Sequence, residues 1–278
     1  MPDKYAVIGN PVAHSKSPLI HAEFARQTGE DVKYVAMLAA HSDFEAAVER
    51  FRSEGGRGMN VTLPFKHRAH ALAQKRSRRA EQALAVNTLA FESGAIHGDN
   101  TDGVGLVRDL TVNLGRVLRG KRTLLMGAGG ASYGVCGPLL DEHPAELVVA
   151  NRTKSKALAL CEHFRGLHPI ARGLSGCSYE ELAGRDFDLV VNATSASLEG
   201  EMPGLPPGVF APGALGYDML YGRLTLFIEF ARAQGAQAAD GLGMLVEQAA
   251  ESFRIWRGVR PDTAPVIVML RESVRSEE

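Results

Sequence analysis

Six consecutive residues, Gly127-Ala128-Gly129-Gly130-Ala131-Ser132, follow directly on the apolar run Thr123-Leu124-Leu125-Met126. Glycines so placed let the chain turn tightly and let a pyrophosphate approach the main chain at the start of a helix, where unpaired N–H groups favour an anion. Ser132 stands where a glycine or alanine is usual and is small enough to keep helix and strand close. The context is the one the pattern needs: a strand before it, a helix after it, within a βαβ unit. The end of the next strand reads Asn151-Arg152-Thr153, then Lys154 and Lys156. Chains that bind NAD usually carry Asp or Glu there for the ribose hydroxyls. Here no carboxylate is in place to repel a phosphate, Arg152 offers a planar fork of donors, and the lysines add charge. The expected ligand is a dinucleotide with a 2′-phosphate, NADP, and the expected chemistry is hydride transfer. Thr153 can also cap the helix that follows it.

A nucleotide fold says only that a hydride moves; its counterpart must come from elsewhere in the chain. Four polar stretches stand out: His14-Ser15-Lys16-Ser17-Pro18, Asn60-Val61-Thr62-Leu63-Pro64-Phe65-Lys66, Ala85-Val86-Asn87-Thr88-Leu89 and Gly98-Asp99-Asn100-Thr101-Asp102-Gly103. Oxidising an alcohol requires removal of its hydroxyl proton, and the reverse reaction requires its supply, which is the work of a positioned general acid–base. Lys66 and Asp102 are of the right types but lie thirty-six residues apart, so only the fold can bring them together. Taken by themselves they read better as a surface ion pair.

These stretches closely resemble the shikimate dehydrogenase family. The resemblance runs from Ile8-Gly9-Asn10-Pro11 to Asp240-Gly241-Leu242-Gly243-Met244-Leu245 with Gln248. It implies NADPH-dependent, reversible reduction of 3-dehydroshikimate to shikimate in aromatic amino acid biosynthesis, with Lys66 and Asp102 as the catalytic pair touching the reacting hydroxyl. It implies Ser15 and Ser17 as donors to the substrate carboxylate, although Ser17 before Pro18 also reads as a helix cap. Thr62, Asn87 and Gln248 are implied as contacts to the ring hydroxyls, and Tyr221 as a residue near the carboxylate or simply a tyrosine at a strand end. Asn60 suits a ring hydroxyl or its own strand ends. In the nucleotide half, Gly127, Gly129, Gly130, Ala131, Ser132, Asn151, Arg152, Thr153 and Lys156 form the expected cofactor site. The stretch Asn192-Ala193-Thr194-Ser195 lies at a strand end facing it. Met219 is implied to touch the nicotinamide, and Gly241 and Gly243 to let the backbone approach it. The chain departs from the family pattern in two places. Tyr221-Gly222-Arg223-Leu224-Thr225 lacks a usual proline, and Tyr133 stands where an arginine is often found. A quinate/shikimate or aminoshikimate dehydrogenase-like paralogue is the alternative.

The elements that must position these residues are legible in the hydrophobic pattern. Strands are expected at Tyr5–Ile8, Lys33–Leu38 and Gly58–Thr62. A helix should start at Ser17-Pro18, another should run from Asp43 to Gly55 under a Ser42 cap, and a hairpin should join Asn87–Phe91 to Ala95–His97. A helix over 103–118 then leads to apolar strands at Arg122–Met126, Leu147–Ala150, near Ile170, Asp188–Asn192, Ala214–Met219 and Ala236–Ala239. Helices are expected between them at 154–164 and 224–233, with a last one from Gly243 to Arg257. Alternating apolar strands and helices mean parallel βαβ units. The fold class is α/β: an N-terminal α/β substrate domain plus a Rossmann-type, doubly wound dinucleotide-binding domain. The boundaries are 1–102, completed by about 241–278, and 103–240. The basic run Lys75–Arg79 reads as a solvated helix face or loop.

Composition adds exclusions. With 278 residues, 45% hydrophobic and 23% charged, and a net charge of −1, nothing favours nucleic acid or an anionic membrane surface. No apolar stretch is long enough to span a membrane, and no signal peptide is visible. The three cysteines have no metal or redox spacing, which suits a reducing, cytoplasmic compartment. The nine histidines show no ligand spacing, so no metal is expected. The expected partner is the small-molecule substrate, in a monomer or homodimer.

Overall fold

The computed structural model describes residues 1–194, 196, 200–202 and 204–277, with side chains to residue 273. The chain runs β1 (Asp3–Gly9), α1 (Ser17–Thr28), β2 (Val32–Leu38), α2 (Phe44–Ser53), β3 (Gly56–Val61), α3 (Lys66–Leu72), β4 (Lys75–Arg76), α4 (Arg78–Ala83), β5 (Thr88–Glu92) and β6 (Ala95–Asp99). It continues through α5 (Asp102–Arg108), β7 (Arg122–Met126), α6 (Gly130–Asp141), β8 (Glu146–Ala150), α7 (Lys154–Leu167), β9 (Leu174–Cys177), β10 (Phe187–Asn192) and β11 (Phe210–Asp218). The last elements are α8 (Leu226–Ala233), β12 (Gln237–Asp240), α9 (Leu242–Arg257) and α10 (Ala264–Glu277). Two compact units result: Met1–Gly105 with Leu245–Glu278, and Leu106–Met244.

In the first unit six strands lie in the order β2-β1-β3-β5-β6-β4. β1 pairs in parallel with β2 and β3, while β5 runs antiparallel to both β3 and β6. Its core is built from Ile8, Phe44, Val48, Met59, Phe65 and Leu89 among others, all buried. In the second unit the order is β12-β11-β10-β7-β8-β9, every pair parallel. Parallel sheets must be covered on both faces. Accordingly Leu125, Val149 and Val191 pack into one core, and their neighbours Leu124, Val148 and Val190 into the other. Strand order reverses between β7 and β10, which opens a crevice beyond their carboxyl ends.

Four local expectations are corrected. The helix expected to reach residue 118 stops its α-helical turns at Arg108 and passes through a π-helical turn, Asp109–Asn113. The buried Asp109 carboxylate accepts from the Tyr217 hydroxyl (2.6 Å) and from Asn113 Nδ2 (2.9 Å) there, and Gly115 turns away at φ +62°. The strand expected near Ile170 forms later, at β9, because Pro169 cannot donate to a ladder and a single 3₁₀ turn, Ala171–Gly173, intervenes. Ser17 is the first residue inside α1 and makes no cap bond. Instead Ser15 Oγ accepts from the Ser17 N–H at 3.3 Å, and likewise Asp43, not Ser42, precedes α2.

The basic run Lys75–Arg79 is exposed at Lys75, Arg76 and Arg78, as expected, but it is not solvated throughout. It forms β4 and opens α4, with Ser77 Oγ capping Ala80 N at 3.2 Å, and Arg79 is drawn into an ion cluster. Arg79 forks onto Asp99 (2.6 and 2.9 Å) and reaches Glu251 at 2.9 Å. Arg254 (2.8 Å) and Arg260 (2.9 Å) complete the shell around Glu251. Burial works against ionisation of Glu251, but the hydrogen bonds from Arg254 and Arg79 outweigh it and pull its carboxyl from 4.5 down to about 2. A folded value below the unfolded one stabilises the fold above pH ~4.5 and loses that stabilisation as pH falls toward 2. The urea stability of wild type should therefore exceed that of Glu251→Gln at pH 6, and the gap should close between pH 4.5 and about 2. A gap that persists undiminished at the acid end would show that ionisation of Glu251 is not what stabilises the cluster.

Candidate active site

The expected acid–base pair, Lys66 and Asp102, lies within the first unit. Phe65, fully buried and stacked on Phe44 with ring centroids 4.8 Å apart, anchors the turn after β3, so Lys66 is the first residue of α3. Asp102 opens α5, and the buried Asn100 caps it: Asn100 Oδ1 accepts from Asp102 N at 3.1 Å while its Nδ2 donates to Ala85 O at 3.1 Å. These two helix starts converge. Lys66 Nζ donates to Asp102 Oδ2 at 2.6 Å, with the side chains 28% and 15% exposed, so solvent or substrate can still reach the pair. Asn87 Nδ2 donates to the other oxygen, Oδ1, at 2.8 Å.

Asn87 is the hub of a buried polar network. Its Nδ2 also lies 2.9 Å from Thr101 Oγ1 and 3.3 Å from Gln248 Oε1. Asn60 at the end of β3 donates to Ser252 Oγ (3.0 Å) and accepts from the Tyr34 hydroxyl (2.7 Å). Burial holds the Tyr34 hydroxyl well above its ordinary range, and a hydrogen bond with Ser17 acts in the opposite sense. One connected set of hydrogen bonds thus brings together Ser17, Asn60, Asn87, Gln248, Asp102 and Lys66. Thr62 sits just beyond β3, half-buried, and its methyl explains Gly9: a Cβ there would lie 2.4 Å from Thr62 Cγ2. Ser15 joins the set only through the Ser17 main chain.

The second unit carries a cleft of about 600 Å³ at the β7/β10 crevice. Gly127, Gly129, Gly130, Ala131, Asn151, Arg152, Thr153, Lys156 and Thr194 all line it. The residues fit a dinucleotide by their own geometry. Gly127 has φ +98°, and a Cβ there would press on the Ala193 carbonyl at 3.2 Å. A Cβ on Gly129 would meet nothing within 4 Å, and no side chain caps α6. The start of α6 is thus uncrowded at Gly129 and uncapped by a side chain, as the approach of a pyrophosphate to its first-turn N–H groups requires. Ser132 is fully buried behind them and its Oγ has no hydrogen-bond partner. Thr194 is fixed by Asn192, whose Oδ1 accepts from Thr194 N (3.1 Å) and Oγ1 (2.7 Å). Ser195 lies outside the described residues.

Around the expected phosphate corner, Thr153 stands at the N-cap of α7 but makes no cap bond, and Asn151 Nδ2 donates to its carbonyl at 2.9 Å. Lys154 is paired with Glu181, which leaves Arg152 and Lys156 as the exposed cations of the cleft. Tyr133 turns to α7, its ring 5.3 Å from that of His163. Tyr179 and Glu180, with Glu201 and Met202, line the cleft without having been singled out from sequence. The Tyr179 hydroxyl is pushed up to about 12 by burial, and the Arg152 charge draws it back. Placing β9 correctly would have pointed to Tyr179 and Glu180, since ligands in such sheets bind beyond strand carboxyl ends.

Met219, Gly241 and Gly243 do not line this cleft, and the glycines have packing reasons of their own. A Cβ on Gly241 would lie 2.3 Å from the Met219 carbonyl oxygen, and one on Gly243 would lie 1.9 Å from Asp109 Oδ1. Tyr221 is 36% exposed in the turn after β11. Among the described residues no group of three or more His, Cys, Asp or Glu side chains could hold a metal, and no helix is long and apolar enough to cross a membrane.

A doubly wound unit with a glycine-lined cleft and a paired lysine and aspartate on one chain are the features of a nucleotide-dependent oxidoreductase. Comparison with known proteins makes the class specific. The shikimate dehydrogenase substrate binding domain matches residues 7–89, the shikimate / quinate 5-dehydrogenase family residues 110–199, and the shikimate 5′-dehydrogenase C-terminal domain residues 241–267. A shikimate dehydrogenase (NADP(+)) of Nitrosospira multiformis is 58% identical over 99% of this chain and 100% of its own. Among solved structures, an Ael1 enzyme from Pseudomonas putida is 53% identical with a TM-score of 0.92, covering 96% of this chain and 98% of that one. Shikimate 5-dehydrogenase from Thermus thermophilus, in complex with NADP(H) and shikimate, is 34% identical with a TM-score of 0.85, covering 99% of each chain. The chain belongs to the shikimate dehydrogenase family.

Proposed function

We propose that this chain catalyses the reversible, NADP-dependent reduction of 3-dehydroshikimate to shikimate, the step that feeds aromatic amino acid biosynthesis. The observation that carries the reading is the 2.6 Å contact between Lys66 and Asp102, with Asn87 on the carboxylate's second oxygen. The unit containing residues 1–102 and the last helices is the substrate and catalytic domain, and the other unit binds NADP. When bound, the nicotinamide supplies or accepts the hydride. Lys66 donates a proton to the ring oxygen as carbonyl becomes alcohol and stabilises charge that develops there. Asp102 orients the Lys66 ammonium and accepts from the substrate hydroxyl. Ser15 and Ser17 receive the substrate carboxylate, with Tyr221 near it. Thr62, Asn87 and Gln248 bond ring hydroxyls, and a site built that way rejects analogues lacking them. Arg152 and Lys156 hold the 2′-phosphate, and Met219, Gly241 and Gly243 flank the nicotinamide. Three free, buried thiols support a reducing compartment, the cytoplasm.

The test is kcat/KM for shikimate and for quinate, each with NADP and with NAD. Shikimate with NADP is expected to lead; preference for quinate with NAD would overturn the assignment in favour of a quinate dehydrogenase-like enzyme. Arg152→Ala is expected to raise KM for NADP by roughly tenfold, as loss of one charged phosphate contact does, with little change for NAD. Equal effects on the two cofactors would remove the phosphate role.

A further inference from the structure

We propose that Thr88 and Ser252 are positioning residues for proton transfer: their hydroxyls are the middle links of a one-way hydrogen-bond chain that fixes the Asn87 side chain and, through it, the Asp102 carboxylate. The proposal rests on Lys66 and Asp102 being the acid–base pair.

The direction of the chain follows from groups that can only donate or only accept. The Thr101 main-chain N–H lies 2.9 Å from Asn87 Oδ1, so the carbonyl of that amide must face Thr101 and its NH₂ must face Asp102. Asn87 Oδ1 can only accept, so Thr88 Oγ1, 2.9 Å away, gives its single proton there. Ser252 Oγ lies 2.7 Å from Thr88 Oγ1 and must then be the donor to it. The competing acceptors for the serine proton, the Gln248 carbonyl at 3.1 Å and Thr101 Oγ1 at 3.3 Å, are both farther. Ser252 Oγ in turn accepts from Asn60 Nδ2 at 3.0 Å, and Asn60 Oδ1 accepts from the Tyr34 hydroxyl at 2.7 Å. Every link from Tyr34 through Asn60, Ser252, Thr88 and Asn87 points toward Asp102.

Asn60 is 7% exposed, Asn87 3%, Thr88 1%, and Ser252 and Thr101 0%, so no water competes for these bonds. Aligned hydrogen bonds in such surroundings polarise one another. Thr88 therefore does more than satisfy a buried atom. Without its hydroxyl, Asn87 Oδ1 keeps the Thr101 N–H at 2.9 Å and the Thr101 hydroxyl at 3.2 Å but loses the Thr88 donor at 2.9 Å, and the bond to Asp102 loosens with it. Ser252 acts one link further back, from α9.

Three variants test this in the full-length protein. Thr88→Val keeps shape and removes the hydroxyl, Thr88→Ser keeps the hydroxyl, and Ser252→Ala removes the preceding link. Thr88→Val and Ser252→Ala are expected to lower kcat for shikimate by about tenfold, the loss of one neutral buried hydrogen bond, with KM for NADP unchanged. Thr88→Ser should restore turnover. A second readout does not depend on activity: the Asn87 side-chain NH₂, followed by NMR, should exchange with solvent faster in Thr88→Val and Ser252→Ala than in wild type or Thr88→Ser. Folded Thr88→Val and Ser252→Ala proteins with wild-type kcat and unchanged exchange overturn the proposal. So does a Thr88→Ser protein as impaired as Thr88→Val, because shape and not the hydroxyl would then be the cause. If Thr88→Val does not fold, Ser252→Ala decides alone. Wild type that fails to turn over shikimate with NADP would defeat the functional reading, and the exchange rates would still decide the hydrogen-bond chain.

Discussion

Lys66→Ala is expected to lower kcat for shikimate oxidation by roughly 10²–10⁴, the range for removing a general acid–base, with a smaller change in KM. The structure explains why the loss should fall on turnover. Asp102 keeps Asn87 on Oδ1 and its helix keeps the Asn100 cap, so the carboxylate stays where it is. What disappears, on the proposed reading, is the Lys66 donor to the developing alkoxide. The fold should barely register the change, because an ion pair with side chains 28% and 15% exposed contributes on the order of 1 kcal/mol or less. Asp102→Asn should also be severe, and the double variant should be little worse than the worse single one, since groups that act as a unit are not additive. Steady-state kinetics of the two single variants and the double variant check this. A Lys66→Ala enzyme turning over near the wild-type rate would take Lys66 out of proton transfer.

Four strands of the second unit's sheet, β7, β8, β10 and β12, could be read to within a residue, the first three because they are buried on both faces, while β11 begins four residues before the expected Ala214. Leu124, Leu125 and Met126 are all fully buried, and such runs leave little doubt about a parallel strand. β9, Leu-Ser-Gly-Cys, carries no such run, and its displacement toward Ile170 hid Tyr179 and Glu180 from the cofactor site. Amphipathic periodicity also says nothing about where a helix widens, and the π turn at Asp109 answers to Tyr217, far along the chain. The acid–base pair was a different case. Lys66 and Asp102 are ordinary surface types, and their meeting depends on two helix starts that no local pattern joins; only resemblance to a family selected them. The buried carboxylates of α9 were out of reach for the same reason. Glu251 reads as a solvent-facing residue until Arg79, 172 positions away, is found against it.

Arg260→Ala is expected to destabilise the first unit by about 3 kcal/mol, the low end for stripping one partner from a buried ion pair. Glu247 is fully buried in α9, where Arg260 donates to its Oε2 and the Thr263 hydroxyl to its Oε1 at 2.6 Å. Arg260 also reaches Glu251 at 2.9 Å, so one guanidinium neutralises two carboxylates a helical turn apart. Removing it strips the guanidinium from the Oε2 of a fully buried carboxylate, whereas Glu251 keeps Arg79 and Arg254. Because stripping one partner from a buried ion pair costs more than replacing the whole pair by apolar groups, deleting the carboxylate as well should recover most of it: Arg260→Leu combined with Glu247→Leu is expected to lie closer to wild type than either single change. Residues 247 and 251 form one stripe of α9 and residues 248 and 252 the next, so the ion cluster holds the helix that presents Gln248 and Ser252 to the Asn87 network. Arg260→Ala should accordingly reduce kcat by a smaller factor than Lys66→Ala while costing far more stability. Urea unfolding of the single and double variants, run beside shikimate kinetics, gives both quantities. A single variant within about 0.5 kcal/mol of wild type, the range of an ordinary surface change, would mean that the Arg260 contact is not what stabilises buried Glu247.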